Sequence, residues 1–180
     1  MPISNNLKEK INAIYSIARI KNVFLFEHIP SKKLTNAKQK YAFEMGNDED
    51  VVLLYDDTLF GTAKKGFLLT TKRLYSKNIL EKEVFTDLVN IDTMIFKGEC
   101  DEETPKIFVG TVFGEIALSI CFADGNVFVN ALEKTVELLT GRALDANRES
   151  GEESSSVCKG CGALVSNGYI ECEYCGLVIS

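Results

Sequence analysis

The spacing of apolar residues changes from a helical period to a strand period near residue 46. Before that point, one apolar set recurs every three or four positions after Ser4, a good N-cap: Leu7, Ile11, Ile14, Tyr15 and Ala18. A second set follows Pro30 and Ser31: Leu34, Ala37, Tyr41 and Met45. Each set predicts an amphipathic helix. The apolar run at 23–26 between them favours a short extended segment.

After residue 46 the hydrophobic period becomes two. Apolar or alternating segments bounded by turn residues occupy positions 51–55, 67–71, 73–77, 82–86, 89–96, 107–113 and 115–122. The gaps between these segments are too short for helical crossovers, so we expect an antiparallel sheet of about seven strands.

A last amphipathic helix is predicted after the strands. Asp124 is a good N-cap and Gly141 lies where a helix-ending glycine is expected. The residues between them include a broad apolar stripe: Phe128, Ala131, Leu132, Thr135, Val136, Leu138 and Leu139. An antiparallel sheet has open corners, and we expect this helix to cover one of them.

The segment GFLLTTKRLY at residues 66–75, followed by further strands and a terminal helix, resembles the bacterial pleckstrin-homology-like domains, relatives of the GRAM-like group. The resemblance covers residues 46–141. It implies an α+β, mainly β fold in which a bent antiparallel barrel is capped by the C-terminal helix. Eukaryotic members that bind phosphoinositides gather several Lys and Arg around the first hairpin. Here Asp56 and Asp57 precede that loop, and it holds only Lys64 and Lys65.

Four cysteines near the C-terminal end predict a metal site. Cys158 and Cys161 form one C-x-x-C-G sequence, and Cys172 and Cys175 form another. Each pair can reach one ion from a single tight turn, and four thiolates complete the tetrahedral sphere of a structural Zn²⁺. Segments 163–166 and 169–172, joined at Asn167 and Gly168, predict a hairpin between the pairs. The pattern is typical of a zinc ribbon binding one zinc ion.

Two other interpretations of the cysteines stay open. Disulfides are disfavoured because we expect the chain in the reducing cytoplasm: its first residues lack a signal-peptide pattern, and no apolar run is long enough to span a bilayer. Iron in a rubredoxin-like site uses similar cysteine pairs. The short spacer between the pairs leaves little room for the larger aromatic core expected there, so zinc is favoured.

These patterns predict four regions. Residues 1–45 form a helical arm that packs on the body, residues 46–141 form the barrel, and residues 157–180 form the ribbon. Residues 142–156 are polar, acidic and without periodicity, which predicts a flexible linker.

Charge is distributed unevenly along the chain. The formal net charge is −6, yet residues 1–40 carry eight Lys or Arg against two Glu. Six lysines are expected on the outer faces of the two arm helices: Lys8, Lys10, Lys32, Lys33, Lys38 and Lys40. They could form a surface for nucleic acid or anionic lipid. The alternative is that they are solvated or face the acidic body.

No catalytic group can be assembled from the sequence. His28 is the sole histidine, and Asp56 and Asp57 are adjacent on a strand and therefore point to opposite faces. Cys100 and Cys121 have no neighbouring base in the sequence. We therefore expect a non-enzymatic module that binds a protein or peptide, with the ribbon as a second contact. The alternative is binding of nucleic acid or an anionic membrane through the ribbon and the basic arm. The ribbon's one Lys, two Glu and zinc-bound thiolates argue against nucleic acid.

Overall fold

The computed structural model describes residues 3–78, 81–97, 105–120 and 124–144, together with the backbone of residues 155–157 and 164–166. The chain divides into two compact units, Met1–Ala146 and Asn147–Ser180. Three helices and two antiparallel sheets make the first unit an α+β fold. Among the helices in the described residues, none has both the length and the apolar content needed to cross a bilayer.

The first helix, α1 (Asn5–Ala18), forms where the apolar period predicts it. The Ser4 hydroxyl accepts a hydrogen bond from the Leu7 N–H at 3.3 Å, which satisfies one of the donors left free at a helix start. The helix ends as Arg19 takes the left-handed conformation, with φ of 48°. Ile11 and Tyr15 are buried and fix the inner face of the helix against the sheets.

The second helix, α2 (Ser31–Lys40), is shorter than its apolar pattern predicts. Tyr41 leaves the helical region with φ of −151°, and its N–H makes the last helical hydrogen bond to the Ala37 carbonyl at 2.9 Å. Tyr41 and Met45 nevertheless contact the apolar cluster beneath the helix. Both positions belong to the apolar face of this segment, although neither is helical.

A five-stranded antiparallel sheet follows chain order. Its strands are β1 (Val23–Leu25), β2 (Val51–Asp56), β3 (Gly66–Thr70), β4 (Arg73–Lys77) and β5 (Val84–Asp87). The short β1 is the apolar segment between the two arm helices, and it pairs with β2 at the sheet edge. The arm thus contributes a strand to the body as well as two helices.

Apolar clusters cover both faces of the five-stranded sheet. Leu53 and Leu69 lie in the main core, whereas the neighbouring Leu54 and Leu68 lie in the second cluster with Ala37 of α2. Because both faces are covered, β2 and β3 are continuous apolar runs rather than alternating ones.

The remaining strands form a separate three-stranded sheet, β6 (Ile91–Lys97), β7 (Lys106–Thr111) and β8 (Gly114–Ser119). A 3₁₀ turn at Leu88–Asn90 lies between β5 and β6 and exposes Val89, where the sequence predicts the start of a strand. No pairing joins β5 to β6 among the described strands, so one continuous sheet is wrong for this part of the chain. The described strands do not form a closed barrel.

The third helix, α3 (Gly125–Thr140), packs on both sheets. Asp124 caps its start by accepting a hydrogen bond from the Val127 N–H at 3.2 Å, and Gly141 ends it with φ of 68°. Phe128 lies with its ring centroid 5.1 Å from Tyr55 of β2 and 5.5 Å from Phe67 of β3. One core therefore contains side chains of both sheets, α1 and α3, including Ile11, Leu74, Ile91, Val109, Leu118 and Leu132.

The first three residues of the predicted linker contact the first unit. The Arg142 guanidinium is 3.1 Å from an Asp92 carboxylate oxygen, and Leu144 is buried in the main core. The Leu144 N–H also donates to the Glu137 carboxylate at 3.0 Å. These contacts place residues 142–144 with the body.

In the second unit, strand β9 (Ser155–Val157) pairs antiparallel with β10 (Leu164–Ser166). Strand β10 lies within the predicted strand 163–166, but its partner β9 begins inside the predicted linker, where a run of serines gives no strand signal. The predicted partner at 169–172 and the turn at Asn167 and Gly168 lie outside the described residues.

Candidate metal centre and binding surface

The four predicted zinc ligands, Cys158, Cys161, Cys172 and Cys175, lie outside the described residues. The described backbone nevertheless brackets the first pair. Val157 and Leu164, which flank the segment 158–163 in the sequence, are Cα partners in the β9–β10 ladder. This segment contains both cysteines of the first C-x-x-C sequence.

The described part of the first unit offers no alternative metal site. No group of three or more His, Cys, Asp or Glu side chains could hold an ion among the residues searched, which are the described ones. His28 is exposed at the last position of the 3₁₀ turn Phe26–His28. Cys100 and Cys121 lie outside the described residues. The zinc prediction continues to rest on the spacing of the four C-terminal cysteines.

Asp56, at the end of β2, holds the following loop to α2. Its buried carboxylate accepts hydrogen bonds from the Lys33 ammonium of α2, from the Thr58 N–H at 2.9 Å and from the Ala63 N–H at 3.1 Å. Lys33 also donates to the Gly61 carbonyl at 2.6 Å. Burial raises the pKa of Asp56, but the hydrogen bonds from Lys33 and Thr58 outweigh it, so the net pKa is lowered and the carboxylate is ionised at neutral pH.

Asp57 uses different partners from those of Asp56. Its carboxylate lies 3.6 Å from the Lys65 ammonium and accepts a hydrogen bond from the Tyr55 hydroxyl at 3.4 Å. The two adjacent carboxylates are thus held by separate cations, and neither is placed to share a proton with the other. Both act as anchors of the β2–β3 loop.

A third buried carboxylate, that of Glu49, has no signal in the sequence. It accepts hydrogen bonds from the Tyr75 hydroxyl at 3.0 Å and from the Thr70 hydroxyl at 2.6 Å. Arg73 lies 3.7 Å away and also pairs with Asp87 at 2.8 Å. Glu49 lies in an acidic run that predicts a loop, and a buried partner on β3 or β4 leaves no local signal.

The six lysines expected on the arm do not form one uniform surface. Lys8 pairs with Glu27 at 3.1 Å, and Lys33 pairs with buried Asp56. The other four are exposed and make no ion pair with another described residue: Lys10, Lys32, Lys38 and Lys40. Two of the six lysines therefore serve the fold.

An open groove of about 640 Å³ runs between α1 and α3. Its apolar lining includes Ala13 and Ile14 from α1 and Leu138 from α3, and Lys10 and Lys134 also line it. A volume of this size lies within the roughly 300–1,000 Å³ common for binding sites in proteins. The groove combines apolar surface with positive charge, which makes it a candidate binding surface.

No protein-family model, curated protein or solved structure matches the chain. The resemblance to pleckstrin-homology-like domains therefore rests on the segment at 66–75 and on the order of the elements. That segment forms β3, the turn at Thr71 and Lys72, and β4.

Proposed function

We propose that this chain is a non-enzymatic interaction module in which a pleckstrin-homology-like body binds a protein or peptide and a structural zinc ribbon provides a second contact. One Zn²⁺ is held by Cys158, Cys161, Cys172 and Cys175. The observation that carries the zinc assignment is the spacing of the four cysteines in two C-x-x-C-G sequences. The antiparallel pairing of β9 with β10 is compatible with it.

The element order supports a pleckstrin-homology-like body. Five antiparallel strands in chain order are followed by three more and then by one C-terminal helix. That helix packs through Phe128 onto β2 and β3, the first hairpin of the body. Separation of the strands into two sheets is compatible with a bent sheet whose two halves face one another across one core.

A structural role for the zinc follows from its ligand set. Four thiolates close the tetrahedral sphere and leave no position for a catalytic water. The chain from residue 157 onward offers few apolar side chains, too few to offset its conformational entropy. Zinc binding to such a peptide contributes on the order of 10–16 kcal/mol at neutral pH, so metal binding and folding of the ribbon are one event.

Binding rather than catalysis is supported by the way the buried carboxylates are used. Asp56 is held by Lys33, and Glu49 is held by two hydroxyl groups. Each of these carboxylates makes contacts that stabilise the fold, rather than being placed to act as an acid or base. The described residues that line the groove between α1 and α3 include no Ser, Thr, Cys or His, and they combine apolar side chains with lysines.

Elemental analysis and thiol counting on the purified full chain test this proposal. We expect one zinc per chain, and Cys161→Ser should abolish stoichiometric binding. Chelation should collapse the amide signals of the ribbon to random-coil positions while those of the body keep their dispersion. Bound iron, or cysteines that remain blocked after chelation, would contradict the zinc assignment. Cys100→Ser is the matched control, because it removes a thiol outside the two C-x-x-C pairs.

The four arm lysines that make no ion pair with another described residue favour one alternative, binding of nucleic acid or an anionic membrane. Lys32, Lys38 and Lys40 are exposed on or beside one short helix. Phosphate binding through these residues predicts an affinity that falls steeply with salt. A triple Lys→Glu variant at these positions should then lose binding to single-stranded DNA or to phosphatidylserine vesicles. Equal, negligible binding by both proteins would remove this alternative.

A further inference from the structure

The groove between α1 and α3 is bordered by two ridges with the same spacing. Lys10, Ala13 and Ile14 occupy positions i, i+3 and i+4 on α1, and Lys134, Glu137 and Leu138 do so on α3. Residues at this spacing form a continuous row on a helix surface. Two such rows side by side leave depressions at helical intervals, which are the sites where a third helix inserts its side chains.

The ridge on α1 extends the apolar surface beyond what the core requires. Ile11 and Tyr15 bind this helix to the core, whereas Ile17 is 84% exposed one turn beyond Ile14 on the groove side. A single exposed aliphatic residue is ordinary. Here it continues a row that already lines the groove, so the apolar strip runs along the last two turns of the helix.

The charges around the groove are mainly positive. Lys10 and Lys134 make no ion pair with any other residue in the described part of the chain. Arg142 is anchored by Asp92 at 3.1 Å, and the Glu137 carboxylate accepts the Leu144 N–H at 3.0 Å. The groove thus presents two lysines to a ligand, although the chain as a whole is acidic.

We propose that this groove binds an acidic amphipathic helix of a partner protein. Aliphatic side chains at i, i+3, i+4 and i+7 of that helix enter the groove, and flanking Asp or Glu side chains face Lys10 and Lys134. This is the helix-in-groove mode of recognition. The inference rests on the proposed role as an interaction module and names the surface and the partner chemistry.

Charge complementarity selects the acidic helix over a second copy of the chain. Two copies meeting through this face by a twofold axis would place one groove lining with a net positive charge against another. Like charges across an interface disfavour the pairing. An acidic partner removes this repulsion and adds an electrostatic contribution to its association rate.

The test uses the full, zinc-loaded chain and a defined probe. The probe is a fluorescein-labelled stapled peptide of about 15 residues, a length at which helices are marginal without help. It has Leu at i, i+3, i+4 and i+7 and Glu on both flanks, and the control peptide has Lys in place of Glu. We expect saturable anisotropy changes with the Glu peptide, weaker binding of the Lys peptide, and amide shifts clustered at Ala13, Ile17 and Gly141.

Two matched variants locate the contact on the protein. Ala13→Glu places a charged side chain in the groove, and Ser16→Glu adds the same charge to another exposed position of α1. We expect Ala13→Glu to weaken the affinity for the Glu peptide at least about tenfold, since like charges across an interface disfavour binding strongly. Ser16→Glu should change this affinity little. Lys134→Glu should weaken binding and reduce its salt dependence without altering the helix content of the protein.

Several results would overturn the inference. These are no binding of the Glu peptide at millimolar concentration, equal loss in both α1 variants, or shifts that map away from the groove. Self-association through this face, seen as a concentration-dependent sedimentation coefficient that Ala13→Glu abolishes, would assign the groove to a second copy instead. Zinc content is measured independently, so the ribbon assignment survives each of these outcomes. Peptide shifts mapped to another face would keep the interaction module and reject only the groove.

Discussion

The buried ion pair of Asp56 allows a quantitative prediction of how one substitution changes the free energy of unfolding. Its carboxylate is 1% exposed and joins α2 to the β2–β3 loop through Lys33, Thr58 and Ala63. Asp56→Asn keeps the shape of the side chain and an oxygen that can accept the two backbone N–H groups. It replaces the other oxygen by an amide NH₂ and removes the negative charge, so the Lys33 ammonium loses its anionic partner.

The expected cost follows from the burial of the two partners. Removing one member of a buried ion pair costs about 3–5 kcal/mol. The Lys33 side chain is 19% exposed and can turn toward water, so the pair is partly screened and we expect the lower end, about 3 kcal/mol. For a unit of this size, that loss corresponds to a decrease in melting temperature of roughly 6–12 °C.

Urea unfolding of the full chain, followed by far-ultraviolet circular dichroism, measures this loss. Asp48→Asn is the matched control, because Asp48 makes the same kind of ion pair with Lys72 but its side chain is 70% exposed. The control should be far less destabilising, since exposed pairs are screened by water and salt. Lys33→Met and the double variant complete a double-mutant cycle. The sum of the stability losses of the two single variants should exceed the stability loss of the double variant.

The pH dependence of Asp56→Asn provides the refuting measurement. Because the folded-state pKa of Asp56 is lowered, the unfolded state binds more protons in acid and stability rises with pH. The contribution of the Asp56 carboxylate to stability is fully present above the ordinary Asp pKa of about 3.9, and it is lost as the pH falls through the lower folded-state pKa. The difference in the free energy of unfolding between wild type and variant should therefore be constant near neutral pH and should decrease below about pH 4. A gap that persists in acid, or a variant no less stable than Asp48→Asn, would refute the reasoning.

Three further predictions concern the packing of the body. Gly66→Ala should destabilise it by more than about 2 kcal/mol in urea unfolding, because φ is 118° and an added Cβ would lie 2.1 Å from the Tyr55 carbonyl oxygen. Phe128→Ala should cost about 3–5 kcal/mol in the same assay, because the fully buried ring contacts β2 and β3, and an unchanged midpoint would contradict this packing. A chain ending at Ala146 should unfold cooperatively in a thermal scan. One ending at Gly141 should be less stable by about 2 kcal/mol, because it lacks buried Leu144.

Elements with local signals were predictable from the sequence. Ser4, Asp124 and Gly141 mark the ends of α1 and α3 because capping needs only neighbouring residues. The strand segments after residue 46 were predicted by their period and turns. The division into two sheets was not, since Val89 has a strand-forming side chain and only the 3₁₀ turn of the folded chain interrupts the ladder there. The end of α2 before Tyr41 was missed because the apolar face continues past the helix.

The candidate sites differ in the same way. Cysteine spacing predicts the ligands of a zinc ion because two residues between thiols fix the geometry of a turn. The groove depends on which two helices become neighbours, and α1 and α3 are far apart in sequence. The one sequence feature that could indicate the groove is Ile17, an apolar residue that lies outside the helical face of Ile11 and Tyr15. An apolar stripe wider than one packed face requires is the sequence sign of a second contact on the same helix.

We expect the two units of this chain to draw their stability from different sources. The first has a core that contains side chains of both sheets and two helices, so we expect it to fold without a ligand. The proposed ribbon has few apolar residues and depends on metal–thiolate bonds. We therefore expect acid, chelators and thiol oxidation to unfold the proposed ribbon before they unfold the body. Two contacts joined by one chain bind a common partner more tightly than either alone. Loss of zinc should accordingly weaken that partner's binding to the full chain while leaving the affinity of the groove for its helix unchanged.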